Sequence, residues 1–140
     1  MKHDLQLDQQ LCFPVYALSR EITAMYRPIL DELGITYPQY LVLLVLWEEK
    51  QQTVNQLGEK LRLDSGTLTP LLKRLEQKGI VGRKRSTTDE RVVNISLTTD
   101  GEALRNKAVC IPEQLVGSLN VTHEELVQLR SIINKILRSE

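Results

Sequence analysis

The chain has 140 residues, a length that suits one domain with a moderate hydrophobic core. Eighteen basic and eighteen acidic residues cancel, so the overall charge does not indicate a partner. No apolar run reaches the ~18 residues of a membrane span, and the polar, acidic first ten residues differ from a signal peptide.

The spacing of apolar residues predicts a helical first third of the chain. Apolar residues recur every three or four positions from Leu11 to Ile29, which predicts an amphipathic helix that ends near Gly34. Pro14 lies within this pattern, so the helix is expected to begin close to Cys12 or to kink there. A second helix is expected from about Thr36 to Glu49, and its nearly continuous apolar sequence predicts burial on most sides.

Two shorter helices and a hairpin are expected next. Thr53 can cap a short helix, and Asp64 or Ser65 can cap the following one, which Gly79 ends. The segments IVGRKR and VVNISL are typical of two short strands around the polar loop STTDER.

The remaining residues again predict helices. Thr98 or Thr99 is expected to start a long helix, which Pro112 bends or breaks. The sequence THEE, residues 122–125, is a capping box that starts a final amphipathic helix. The predicted fold class is therefore mainly α with a small β-hairpin.

The middle of the chain combines a structural pattern with a local charge. A short helix, a tight turn, a capped second helix and a basic hairpin form a winged helix-turn-helix pattern. Residues 60–91 carry nine basic against four acidic residues, a net charge of +5, so the remainder carries −5. Because this excess falls on the predicted recognition helix and wing, we expect double-stranded DNA as partner rather than a solvated charge cluster.

Each part of this pattern suggests a different DNA contact. The first turn of a recognition helix meets base edges and phosphates, whereas basic residues further along suit the phosphate backbone. In the wing, Arg91 is expected to enter a minor groove and Asp89 to orient it. The expected DNA-binding residues are Ser65, Thr67, Thr69, Lys73, Arg74, Arg83, Lys84, Arg85, Asp89 and Arg91.

The two cysteines, Cys12 and Cys110, form neither a disulfide framework nor a metal site, since neither has Cys or His neighbours at ligand spacing. Neither a metal nor a cofactor is expected, and a reducing, cytoplasmic location is the default. From composition alone, Cys12 is more readily a small core residue than a reactive thiol.

Several motifs together resemble a known family. The segment LDSGTLTPLLKRLEQKGIVGRKRSTTDERVVNISLTTDG is similar to the DNA-binding lobe of the MarR family of bacterial transcriptional regulators. QLCFPVYALSRE and LGITYPQYLVLLVLWE resemble its OhrR branch, the organic-hydroperoxide-sensing repressors. The expected organisation is one MarR-type domain over residues 1–140, with a winged-helix lobe at about 53–97. Dimerisation helices are expected at about 8–34 and 98–140.

The resemblance also implies a function. It implies a homodimer on a palindromic operator, with Cys12 as the peroxide-sensing residue and Tyr16, Tyr26 and Tyr37 supporting its thiolate. The hydroxyls of Tyr26 and Tyr37 would contact the cysteine of the other subunit. An organic hydroperoxide would oxidise Cys12 to sulfenic acid, a low-molecular-weight thiol would convert this to a mixed disulfide, and the operator would be released.

Elementary chemistry is compatible with this implied site. A helix N-terminus and tyrosine hydroxyls both favour a thiolate, the form that attacks peroxides. Tyr26 is 14 residues from Cys12, or ~21 Å along a continuous helix, so their contact requires a partner chain. Cys110 is interpreted as core packing, with an unconventional resolving thiol as the alternative.

Three other functions stay open at this point. The first is a MarR-type repressor relieved by a small aromatic ligand, with no redox role for Cys12. The second is a thiol peroxidase, disfavoured because the chain lacks an obvious resolving pair and devotes its basic lobe to DNA, so we expect no enzymatic activity. The third is an architectural DNA-binding protein, disfavoured by the neutral total charge.

Overall fold

The structure is a computed structural model that describes residues 5–138; the first four residues of the segment compared with a signal peptide lie outside it. The described chain contains seven α-helices, a 3₁₀ turn at Leu7–Gln9 and a three-stranded antiparallel sheet. It divides into two compact units between Val109 and Cys110. Within residues 5–138, every helix is too short or too polar to cross a membrane.

The first two helices follow the predicted pattern closely. Helix α1 spans Cys12–Asp31 and helix α2 spans Tyr37–Glu49. Pro14 is the third residue of α1, where a backbone N–H would lack an intrahelical partner in any case. The helix therefore starts at Cys12, one of the two outcomes expected. Gly34 follows the end of α1 with φ +70°, a conformation that glycine adopts without a steric penalty.

The next two helices begin at side-chain caps. Helix α3 spans Val54–Leu61 after Thr53, and helix α4 spans Ser65–Gln77 after Asp64, so Asp64 rather than Ser65 is the cap. Gly79, with φ +74°, follows α4 as predicted. Helices α3 and α4 form the helix-turn-helix.

The sheet contains the predicted hairpin and one further strand. Strands β2 (Val81–Arg85) and β3 (Val93–Leu97) form the hairpin, and β1 (Gln51–Thr53) pairs with the other edge of β3. The pairing of β1 was not predicted, because three polar residues carry no strand pattern of their own and form a strand only by pairing with β3. The predicted class, mainly α with a β wing in a winged helix-turn-helix, is confirmed.

One hydrophobic core holds the recognition helix α4 against α2, α3 and the sheet. Its fully buried side chains come from all of these elements: Val42, Leu43, Leu46, Leu57, Leu68, Leu72, Leu75, Val81 and Ile95. Helix α5 (Thr99–Ala108) starts at the cap Thr98. Trp47 joins α2 to α5, since its indole N–H donates to the carbonyl of Gly101 at 3.0 Å.

The second unit contains two helices. Helix α6 spans Ile111–Ser118 with Pro112 in its first turn, so the long helix predicted from Thr98 is broken rather than bent. Helix α7 spans His123–Leu137 and starts at the predicted capping box of Thr122. Every residue of α7 is exposed or half-buried, including the apolar residues of its predicted face.

Candidate functional site

The start of recognition helix α4 presents hydroxyl groups. Ser65 and Thr67 are exposed and Thr69 is half-buried, all within the first turn and a half. The carboxylate of Asp64 accepts the backbone N–H of Thr67 at 2.7 Å, and hydrogen bonding to Thr67 lowers the pKa of Asp64. This backbone N–H at the start of α4 is therefore already occupied and is not free to bind a phosphate. Lys73 is exposed further along the helix.

A cleft brings four of the expected DNA-binding residues together. Ser65 and Thr69 of α4, Arg83 of β2 and Arg91 of the wing line a cavity of about 260 Å³, together with residues 53–55. The Nε of Arg83 is buried and has no hydrogen-bond partner among residues 5–138. An unpaired buried donor is costly, and the residue that carries this one, Arg83, lines the cleft.

The wing holds one arginine in a defined orientation. The carboxylate of Asp89 accepts hydrogen bonds from Nε of Arg91 at 3.1 Å and from its Nη2 at 3.3 Å. The same carboxylate accepts the backbone N–H of Arg91, and these contacts lower the pKa of Asp89. The side chain of Arg91 nevertheless stays 91% exposed, so it is both oriented and accessible.

The other expected basic residues lie on the same lobe. Arg85 donates from Nη1 to the carbonyl of Glu90 at 3.1 Å, which links the two sides of the hairpin. Lys84 is exposed on β2, and Arg74 is exposed on the recognition helix near its C-terminal end.

Aromatic side chains cluster where α1 meets α2. The ring of Tyr26 lies 4.6 Å from that of Tyr37 and 5.7 Å from that of Tyr40, measured between centroids. Burial, followed by the proximity of Tyr37 and Tyr40, raises the pKa of Tyr26 to about 12. Burial also raises the pKa of Tyr37. Both phenols therefore stay protonated at neutral pH and can donate hydrogen bonds.

The thiol of Cys12 is exposed at the first residue of α1. Tyr16 follows one turn later, and its ring lies 5.6 Å from the guanidinium carbon of Arg20. Because α1 is continuous, Cys12 lies about 21 Å from Tyr26 along the helix. Within one chain, the structure therefore separates Cys12 from Tyr26 and from Tyr37, which packs against Tyr26.

The second cysteine differs from its expected position. Cys110 is exposed, so core packing is the wrong interpretation for the single chain. It is the residue just before α6, at the break between two helices, rather than lying inside one long helix. Within residues 5–138, His, Cys, Asp and Glu side chains form no group of three that could hold a metal ion.

Comparisons with known proteins agree with this geometry. Residues 24–108 match the family described as transcriptional regulator SarA/Rot. The chain is 55% identical to an organic hydroperoxide resistance transcriptional regulator of Bacillus subtilis (strain 168), over 96% of this chain and 92% of that protein. It is similar to reduced AbfR of Staphylococcus epidermidis bound to DNA, with a TM-score of 0.79 and 41% identity over 94% of this chain and 92% of that one.

A more distant relative has the same architecture. A mutant MarR from E. coli, solved in complex with operator DNA, gives a TM-score of 0.83 and 29% identity over 91% of this chain and 93% of that one. The chain belongs to the MarR family of transcriptional regulators. As a MarR-family protein with a winged helix, it is a DNA-binding regulator of transcription. The sequence resemblance to the OhrR branch is confirmed.

Two residues beside the sites were missed by sequence reasoning. Tyr40 completes the aromatic cluster but is almost fully buried, and Lys78 contacts the loop between α1 and α2. The position of Lys78 at the end of α4 was a weak signal, because cations are common at helix C-termini for general electrostatic reasons.

Proposed function

We propose that this MarR-family regulator is a homodimeric repressor that binds a palindromic operator and releases it when an organic hydroperoxide oxidises Cys12. The position of Cys12 is the main observation that supports this proposal. Its thiol is exposed at the start of α1, and the raised-pKa hydroxyl of Tyr26 lies too far along the same helix to reach it. The site is completed only by a second copy of the chain.

DNA binding is supported by the cleft and the wing. Arg83 lines the cleft beside Ser65 and Thr69, so its guanidinium charge favours a DNA phosphate that enters there. Arg91, held by Asp89 but exposed, is oriented for a minor groove. The remaining basic residues, Lys73, Arg74, Lys84 and Arg85, supply further phosphate contacts.

Dimerisation is supported by the exposed apolar residues of the terminal helices. Leu11, just before α1, and Val15 of α1 are exposed, as are Ile132 and Ile136 of α7. An isolated helix as short as α7 is marginal in water, so burial of its apolar face against a second copy supplies the missing stabilisation. A two-fold symmetric dimer reads a palindromic operator, because each recognition helix meets one half-site.

The proposed reaction begins with the Cys12 thiolate. Its sulfur attacks the terminal oxygen of the hydroperoxide, the O–O bond breaks, and the alkoxide leaves as an alcohol after taking a proton. Cys12 becomes a sulfenic acid. A low-molecular-weight thiol then attacks this sulfur, which releases water and leaves a mixed disulfide.

Oxidation removes the negative sulfur that the partner's tyrosines stabilise. The hydrogen bonds from Tyr26 and Tyr37 lose their charged acceptor, and Tyr16, one turn from Cys12, must accommodate a larger group. We propose that the dimer then rearranges so that its two wings no longer match the half-site spacing. The relative from Bacillus subtilis is named an organic hydroperoxide resistance transcriptional regulator, which supports this class of oxidant.

Operator binding before and after oxidation tests the proposal. Purified wild type, Cys12→Ser and Cys110→Ser are titrated onto operator DNA by fluorescence anisotropy, with and without cumene hydroperoxide and free cysteine. Wild type and Cys110→Ser should release DNA and recover it after a thiol reductant, whereas Cys12→Ser should hold DNA throughout. Release by Cys12→Ser as well would instead favour a repressor relieved by a small ligand.

The proposed sensor differs from an enzyme in the amount of peroxide that it consumes. A thiol peroxidase consumes many equivalents of peroxide in the presence of a reductant, whereas a sensor consumes about one per Cys12. The amount of peroxide consumed per chain distinguishes the two functions, and sustained turnover would favour a thiol peroxidase. A cytoplasmic location follows from the proposed partner, the genomic operator.

A further inference from the structure

Lys78 lies where three helices of the first unit meet. It is the residue that follows α4, and its Nζ donates a hydrogen bond to the carbonyl of Gly34, just after α1. The same Nζ lies 3.4 Å from Oε1 of Gln39, in the first turn of α2. One ammonium group therefore contacts the end of one helix and the start of another while it belongs to the recognition helix.

The acceptor in α2 is itself part of the helix start. The side chain of Gln39 is buried, with the residue only 2% exposed. Its Oε1 also accepts the backbone N–H of Thr36 at 3.0 Å, so the capping box and Lys78 share one oxygen. A displacement of the first turn of α2 must therefore change the position or the strength of the contact with Lys78.

The residues that follow Lys78 are also fixed, by hydrogen bonds to the sheet side of the lobe. The hydroxyl of Thr98 donates to the carbonyls of Gly79 and Ile80 at 2.6 and 3.0 Å, which ties the residues after Lys78 to the end of β3. The C-terminal end of α4 thus lies between a contact to the sheet and a contact to the α1–α2 loop.

The contacts of Lys78 with Gly34 and Gln39 connect the tyrosine cluster with the recognition helix. Tyr37 is the first residue of α2, two residues before Gln39, and its ring packs against that of Tyr26 in α1. We infer that Lys78 is a positioning residue that transmits the state of the tyrosine cluster to the recognition helix. The inference rests on the proposed redox function, since oxidation of Cys12 is the event to be transmitted.

The proposed coupling acts through the two hydrogen bonds of Lys78. When the partner's Cys12 is oxidised, Tyr26 and Tyr37 lose a charged acceptor, and the first turn of α2 shifts relative to α1. The ammonium of Lys78 bonds to both sides of that boundary, so α4 follows the shift. Without the ammonium, the tyrosine cluster responds to oxidation but the recognition helix receives less of the change.

Substitution of Lys78 separates coupling from sensing. Lys78→Met keeps most of the side-chain length but removes the donor, and Lys78→Arg restores a cationic donor. Lys107→Met, on the exposed surface of α5, is the matched control. For each full-length protein, operator Kd is measured in the reduced form and after cumene hydroperoxide with free cysteine, and mass spectrometry verifies complete modification of Cys12.

The ratio of oxidised to reduced Kd is the decisive quantity. It should fall about tenfold in Lys78→Met and stay near wild type in Lys78→Arg and Lys107→Met, with Cys12 modified to the same extent in all. An unchanged ratio in Lys78→Met, or equal weakening of both states, overturns the inference. If Lys78→Met does not fold, Lys78→Gln is judged by the same ratio. If fully modified wild type keeps its operator, the redox function itself fails.

Discussion

Tyr26 of α1 and Tyr37 of α2 pack against each other with their ring centroids 4.6 Å apart, and burial raises the pKa of both phenols. Both residues are half-buried, whereas Tyr40 in the same cluster is 3% exposed. Of the three tyrosines in the cluster, Tyr26 and Tyr37 are therefore accessible to a second chain, whereas Tyr40 is not. This difference supplies an internal control.

Removing either accessible hydroxyl should slow sensing. We expect Tyr26→Phe and Tyr37→Phe to bind the operator like wild type when reduced, but to release it about tenfold more slowly at a given hydroperoxide concentration, because a hydrogen bond to the thiolate is lost. Stopped-flow anisotropy with labelled operator measures the rate. Tyr40→Phe, the matched control, should release at the wild-type rate. Slowing by all three substitutions alike would indicate altered packing instead.

The pKa of Tyr26 predicts a stability change at high pH. The ordinary pKa of tyrosine is 10.0, whereas the pKa of Tyr26 in the folded chain is about 12. Between these two pH values the folded chain keeps the phenol proton that the unfolded chain loses. The contribution of protonated Tyr26 to the free energy of unfolding is therefore fully present below pH 10.0 and is lost as pH rises through about 12. Urea unfolding across this window should show a steeper loss in wild type than in Tyr26→Phe. Equal slopes would mean that the phenol ionises as freely folded as unfolded.

In the wing, an effect of Asp89 on the orientation of Arg91 can be distinguished from a general effect of its negative charge on DNA binding. Generic electrostatics predicts that removal of any acidic residue near DNA strengthens binding. If Asp89 orients Arg91, however, Asp89→Ala should weaken operator binding several-fold, whereas Glu90→Ala should leave it equal or slightly tighter. Arg91→Ala should lose about tenfold or more. Equilibrium anisotropy at fixed salt measures all three, and tighter binding by Asp89→Ala would remove Asp89 from the site.

The cap of the recognition helix should matter for stability. The carboxylate of Asp64 accepts the N–H of Thr67 at 2.7 Å, and Asp64→Ala removes this side-chain cap, so that only the weaker bond to the backbone carbonyl of residue 64, at 3.2 Å, remains at the start of α4. We expect the melting temperature to fall by a few degrees in Asp64→Ala and to stay near wild type in Asp64→Asn, since asparagine caps equally well. Calorimetry of the reduced proteins checks this. An equal fall in both variants would assign the effect to charge rather than to capping.

Local signals explain why most element boundaries were predictable. Thr53, Asp64 and Thr122 cap helices by bonding to backbone three residues away, so their role is visible in a short stretch of sequence. The strand β1 and the contact of Lys78 with Gly34 depend instead on residues more than 40 positions apart. No local period or cap reveals such contacts, because the tertiary fold creates them.

The same distinction applies to the candidate site. The orientation of Arg91 by Asp89 spans two residues and could be predicted from the sequence. The cleft around Arg83 collects residues from α3, α4, β2 and the wing, so sequence reasoning named its members without revealing that they share one cavity. The separation of Cys12 from Tyr26 was predictable because helix rise is a constant of the backbone.

Helix α7 exposes six large apolar side chains in the single chain. Ile133 and Asn134 are neighbours on α7, and both side chains are exposed in the single chain, so a monomer should tolerate glutamate at either position. In the proposed dimer, Ile133 lies on the apolar face and Asn134 does not. Ile133→Glu should therefore weaken self-association about a hundredfold by burying a charge, while Asn134→Glu should not. Sedimentation velocity over a concentration series measures this difference, and indistinguishable dimers from both variants would place the interface elsewhere.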